Sequence, residues 1–126
     1  MSEPEQEKSQ VEDKIIELGK SNPDIRILAI FSSQTGMALG IYSKKPIDKG
    51  EKMRLAATTL ACGSLADRTL STLSMDKCRL LSVRAEKGNA AIGIAEKFSV
   101  LVITDKNNPK TVAQNIVEYF QKEGSI

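Results

Sequence analysis

Proton transfer, nucleophilic attack and metal ligation draw on a short menu of side chains, and this sequence lacks the most versatile of them. Its 126 residues include no histidine, which removes the commonest general base and the commonest metal ligand. Ser32, Ser33, Ser64 and Ser71 therefore have no imidazole to take up a proton. Cys62 and Cys78 have neither the number nor the spacing of a metal site or a disulfide framework, and both are expected as reduced, half-buried thiols. Aspartates and glutamates fall mostly in helix starts and turns, where they cap and solvate. No spacing sets two of them against one pocket. Gly88-Asn89-Ala90-Ala91-Ile92-Gly93 holds two glycines, but the second opens no helix, so it reads as turn plus strand rather than a dinucleotide loop. The expectation is no catalytic residue, no cofactor-binding residue and no metal site. Lys44, Lys45, Lys49 and Lys52 with Arg54 make a locally basic patch. It reads first as a solvated face and second as a contact for a partner or an anionic lipid.

The totals point the same way. A hydrophobic fraction of 40% and a charged fraction of 27% are those of an ordinary soluble domain. A chain of this length holds one domain with a modest core. Aromatic residues make up only 4% and tryptophan is absent, so that core must be built from Ile, Leu, Val and Ala. A net charge of +2 is too small to argue for nucleic acid. The opening Met1-Ser2-Glu3-Pro4-Glu5 lacks the apolar stretch of a signal peptide, and no apolar run approaches the roughly 20 residues of a membrane span. Cytoplasmic residence without membrane insertion is expected.

What positions the interaction surface is an alternation of helix and strand. Residues 1–8 read as a flexible tail and 9–126 as the domain. Ser9-Gln10-Val11-Glu12 has the form of a capping box, followed by a stripe of Val11, Ile15, Ile16 and Leu18. Gly19 and Ser21-Asn22-Pro23-Asp24 stop that helix. From Ile25 the period becomes two, with Ile25, Ile27, Ala29 and Phe31 on one face and Leu28 and Ile30 on the other, as in a strand covered on both sides. Ser32 to Gly36 turns the chain into a returning strand, Met37 to Ser43. Asp48-Lys49-Gly50-Glu51 caps the longest helix, to about Leu73. Three strands follow, over about 77–86, 90–95 and 98–104. Asn108-Pro109 then opens a last helix carrying Val112, Ala113, Ile116, Val117 and Phe120. Short turns between consecutive strands argue for an α+β fold with an antiparallel sheet and helices on its faces.

The long helix has two apolar stripes where a helix on a sheet needs one. Leu55, Thr59, Cys62, Ala66, Leu70 and Leu73 form the continuous stripe. Met53, Ala57, Leu60, Ala61 and Ser64 form a shorter one of mostly small residues, and Arg54, Thr58, Leu65, Arg68 and Thr72 mark the remaining wedge. The bland account of the second stripe is that alanine tolerates exposure in a helix. The sharper one is burial against a second copy, with small residues letting two helices approach. The strand after the helix supports it: an uncovered edge bearing Leu80, Leu81 and Val83 is an aggregation hazard unless paired, and a two-fold axis would pair it with its twin.

With its elements in this order, the chain resembles the roadblock/dynein-light-chain family over about residues 9–123. The likeness is carried by Ile27-Leu28-Ala29-Ile30-Phe31-Ser32-Ser33-Gln34-Thr35-Gly36-Met37-Ala38-Leu39, similar to the family's first hairpin and its turn glycine. It is also carried by the Ala/Leu-rich helix from Met53 to Leu73, and by Ala91-Ile92-Gly93-Ile94 leading into Val100-Leu101-Val102-Ile103-Thr104-Asp105. The resemblance implies a five-stranded antiparallel sheet in the order helix-strand-strand-helix-strand-strand-strand-helix, with the long helix on one face and the terminal helices on the other. It implies a homodimer, or a dimer with a paralogous roadblock subunit, built through Met53, Ala57, Leu60, Ala61, Ser64, Leu81 and Val83. It further implies a non-enzymatic module that binds and regulates or scaffolds a small Ras-like GTPase, as do bacterial and archaeal polarity regulators. Such a regulator inserts no catalytic arginine of its own. Partner contacts map onto Arg54, Thr58, Leu65, Arg68 and Thr72. The rival expectation is a small-molecule sensor of profilin, PAS or GAF-like type, which needs a cavity between sheet and helix.

Overall fold

Two hydrophobic layers, one on each side of a single sheet, follow from strands that are apolar on both faces. The computed structural model describes residues 3–124 and residue 126. Its elements run α1 (Glu3–Ser21), β1 (Ile25–Ser32), β2 (Ala38–Ser43), α2 (Lys49–Thr72), β3 (Leu80–Ala85), β4 (Gly88–Ile94), β5 (Phe98–Thr104) and α3 (Lys110–Glu123). The five strands lie in the order β2-β1-β5-β4-β3, and every pairing is antiparallel. On one face Val11 and Ile15 of α1 and Ala113, Ile116 and Phe120 of α3 pack with Leu28, Ile30, Val100 and Val102. On the other face Ala56 of α2 packs with Ala29, Phe31, Ile92 and Leu101. The expected α+β architecture, long helix opposite terminal helices, is the one observed.

Several local expectations are corrected. α1 begins at Glu3, so Ser9 lies inside the helix and does not cap it. Of the expected tail, Met1 and Ser2 lie outside the described residues, while Glu3 to Lys8 are helical. Ile25 does not share a face with Ile27. It pairs with Thr104 while Ile27 pairs with Ile103, so the register slips across Arg26. A one-residue slip flips the face, and Ile25 is buried with Leu28 and Ile30 against α1 and α3. β3 is shorter than the expected 77–86 because the chain reaches the sheet only at Leu80. Pro109 is the cap position of α3, with helix from Lys110, and Asn108 Oδ1 accepts from the Lys110 amide at 3.0 Å. Asp48 and Glu51 do form the expected capping box of α2.

The slip at Arg26 frees its side chain to bind Asp105, with Nε at 2.8 Å and Nη2 at 2.5 Å. Beside it Asp24 ties β1 to the loop after β5, its two oxygens accepting from the Lys106 and Asn107 amides at 2.9 Å each. Those bonds, Asn107's foremost, hold its carboxyl below the ordinary 3.8 despite opposing desolvation. The unfolded chain therefore binds this proton more readily than the folded one. The stabilisation is present above about 3.8 and is lost as pH falls through the depressed folded value. Asp24→Asn removes one acceptor and the titration together. Thermal melts from pH 6 downward are expected to show a smaller acid-induced loss of Tm in the variant than in the parent, the difference opening below about pH 4.

Candidate functional site

Helix α2 is long and barely embedded. At 24 residues it runs roughly 36 Å, yet only Ala56, Thr59 and Gly63 are buried. Leu55 and Leu60 flank them, partly buried. Close approach explains the choice of residues: a Cβ on Gly63 would lie 3.2 Å from Ile94 Cδ1. The side of α2 turned to the sheet is thus rotated from the expected stripe. Thr59 keeps its place, Leu55, Ala66 and Leu70 are half-buried at its border, and Cys62 and Leu73 are exposed. Cys62 is accordingly a surface thiol, while Cys78 is buried; neither is half-buried.

The second stripe stays outside. Met53 is 65% exposed, and Ala57, Ala61 and Ser64 are exposed with it. Leu60 is the exception, turned partly into its own subunit's core. At about 100° per residue, Met53, Ala57 and Ser64 lie on one flank of α2, the same flank as Leu60, with Ala61 toward the crest. Beyond that flank stands β3, which pairs only with β4 and leaves its other edge free. Leu81 is partly buried under the α2-side layer. Val83, two residues on and on the same face, is 54% exposed. Helix flank and free strand edge together leave Met53 and Val83 as exposed apolar side chains on this side of the molecule.

The crest carries Arg54, Thr58, Leu65, Arg68 and Thr72, all exposed. Thr58 and Thr72 donate their hydroxyls to the carbonyls of Arg54 at 2.7 Å and Arg68 at 3.1 Å. Thr69 does the same to Leu65 at 3.0 Å. Such back-bonding occupies the polar atom and leaves the methyl for solvent or a partner. The crest is therefore more apolar than its composition suggests, with two arginines that make no ion pair among the described residues.

Sequence reasoning missed how α2 ends. Met75 N–H bonds the Leu70 carbonyl at 3.0 Å and Ser74 N–H bonds Ser71 at 3.1 Å, with Ser74 at φ 56. That is a Schellman stop, hidden because serine stands where glycine is usual. It leaves Leu73 and Met75 exposed at the end of the crest. Asp67 then pins the crossover to β3, accepting from the Cys78 amide at 2.6 Å. A cleft of about 570 Å³ opens here, with Leu60, Ser64 and Asp67 on the helix side and Lys77, Arg79 and Glu96 opposite. It lies at the rim of the α2 layer and is lined with charge. No group of three or more His, Cys, Asp or Glu side chains among the described residues is placed to hold a metal ion, and no described helix is long and apolar enough to cross a membrane.

No protein-family model and no curated relative matches the sequence. Solved structures do. The chain is similar to MglB from Myxococcus xanthus with a TM-score of 0.73 and 12% identity, over 94% of this chain and 86% of that one. It is similar to a Roadblock/LC7 domain from Streptomyces avermitilis with a TM-score of 0.75 and 12% identity, over 91% and 98%. It is also similar to an MglB in a tetrameric arrangement, with a TM-score of 0.63 and 12% identity, over 99% and 87%. At such identities the likeness speaks for the fold, and the fold is that of roadblock domains.

Proposed function

We propose that residues 9–126, folded as a roadblock domain, act as a non-enzymatic dimerising module that binds a small Ras-like GTPase in the cytoplasm and regulates or scaffolds it. The observation that carries this reading is the exposure of Met53, Ala57, Ala61, Ser64 and Val83 beside a free strand edge. A two-fold axis through that edge joins β3 to its twin, merges two sheets and sets the two α2 flanks face to face. The twin is an identical chain or a paralogous roadblock subunit. Self-association on this fold has a precedent in the tetrameric MglB. Beyond Ala61 the crest of α2 stays open in such a dimer, and there Leu65 and the threonine methyls supply apolar contact while Arg54 and Arg68 select an acidic partner surface. The GTPase class comes from the roadblock resemblance. With no catalytic group of its own on that crest, the module acts on the shape or position of the GTPase.

Sedimentation and titration calorimetry test both halves. The chain is expected to sediment as a dimer at micromolar concentration. It is expected to bind a Ras-like GTPase of the same genome with different affinities in the GDP and GTP-analogue states. Leu65→Ala combined with Arg68→Glu should weaken that binding by about tenfold or more while leaving the dimer intact. A strict monomer refutes the dimer, and unchanged binding refutes the crest as the partner surface.

A further inference from the structure

A second concavity, bordering the crest at Arg54 and Thr58, has an uneven charge around it. On the flank of α2 turned away from β3, a dimple of about 220 Å³ opens between Ile27 of β1, Ile47 of the β2–α2 connection, and Glu51, Arg54, Leu55 and Thr58. Its walls are mostly apolar. Ile27, Ile47 and Leu55 supply aliphatic carbon, and the Thr58 hydroxyl is taken by the Arg54 carbonyl at 2.7 Å, which leaves its methyl. Glu51 is the acid in the wall, and it is held in the capping box, its Oε1 accepting from the Asp48 amide at 3.3 Å.

The rim is basic. Lys45 and Lys49 flank Ile47 two residues to either side, and Lys52 and Arg54 flank the Glu51–Leu55 turn. All four are exposed, and none makes an ion pair among the described residues. Asp105, the nearby acid on the sheet end, is already occupied by Arg26 at 2.5 Å and faced by Lys44 at 3.9 Å. A mostly apolar recess with four exposed cations in or next to its lining segments, and with Asp48 and Glu51 engaged in the capping box, has a defined complement.

We infer that this dimple is a docking site for an acidic polypeptide segment bearing one bulky aliphatic anchor. The anchor fills the space between Ile27, Ile47 and Leu55, and flanking carboxylates meet Lys45, Lys49 and Arg54. Recessed anchors with charged surrounds are a common mode of segment recognition, in which the pocket supplies affinity and the charge supplies partner choice and salt dependence. The site lies on the flank of α2 turned away from β3, so it stays open whether the chain is single or paired. Arg54 and Thr58 also belong to the crest, and Lys45 and Lys49, which lie outside it, tell this site from the GTPase surface proposed above.

The test uses the full chain and a fluorescent peptide of on the order of ten residues, aspartate and glutamate around one central leucine. A second peptide replaces the leucine with alanine, and vesicles of phosphatidylserine serve as the lipid probe. Polarisation is expected to report saturable binding of the leucine peptide that weakens as salt rises. Affinity should fall about tenfold for the alanine peptide, and likewise for Lys45→Glu with Lys49→Glu. Thr58→Lys, which narrows the recess without touching the core, should reduce leucine-peptide binding while sparing the alanine peptide. Equal affinity for both peptides, or tighter binding to vesicles than to the leucine peptide, overturns the proposal.

Discussion

Ala61→Glu should convert a dimer into a folded monomer. The alanine sits exposed on α2 between the β3-side flank and the crest, where a longer side chain can extend into solvent. The helix itself loses only a few tenths of a kcal/mol by the exchange, so circular dichroism and the monomer's melt should hardly change. In a two-fold assembly the same substitution enters twice, next to its own symmetry mate. It then buries unpaired like charges, a cost of about 3 kcal/mol or more. Each 1.4 kcal/mol is tenfold in affinity, so the dissociation constant should rise by about two orders of magnitude. Ala57→Glu, on the flank beside it, should do the same, whereas Ala61→Ser should leave the assembly unchanged. Sedimentation velocity across a concentration series reads the outcome. A dimer that survives both glutamates removes α2 from the interface.

Phe31→Ala is expected to have the larger effect on the fold. Phe31 is fully buried, and among the described residues it is the one aromatic side chain of the α2-side layer, packed with Ala29, Ala56, Ile92 and Leu101. Two of its buried neighbours are alanines, whose methyls cannot reach across to close a ring-sized void. Truncating a buried phenylalanine costs about 3–5 kcal/mol, a large share of what a domain of this size has to spare. Since α2 rests on this layer through only three buried residues, the loss should loosen the helix first. Urea titration should show the midpoint drop. Hydrogen exchange at the amides of α2 should accelerate more than at those of α1 and α3, which pack on the other face. Equal acceleration on both faces counts against the separation into two layers.

Much of the architecture was legible because it depends on local chemistry. Alternating apolar residues in β1 and β5, the Asp48–Glu51 capping box and the α3 stripe each declare their element within a few residues. The misreadings arise where distant contacts decide. Ile25 looked like a neighbour of Ile27 until pairing with β5 imposed a slip at Arg26. The sheet-facing side of α2 looked like Leu55, Cys62 and Leu73. It is instead centred on Ala56, Thr59 and Gly63, because close packing on Ile94 selects the smallest residues rather than the greasiest. Ser9 mimicked a cap, although the glutamates upstream of it are good helix formers and extend α1. The interaction surface was legible only as an excess of small and apolar residues. The threonine back-bonding that makes the crest apolar, and the dimple beside Ile47, need three dimensions to be seen.

The strand order bears on how the chain is made. β1 lies between β2 and β5, so during synthesis it gains its hairpin partner at once. Its inner neighbour comes only after Thr104 has cleared the ribosome. Until then one backbone edge of β1 is unpaired, and α3, which seals Leu28 and Ile30 from water, emerges later still. Pairings this far apart along a chain are slow to form and prone to wrong partners meanwhile. Faster elongation or a holding chaperone, either of which limits that exposure, should therefore raise the soluble yield.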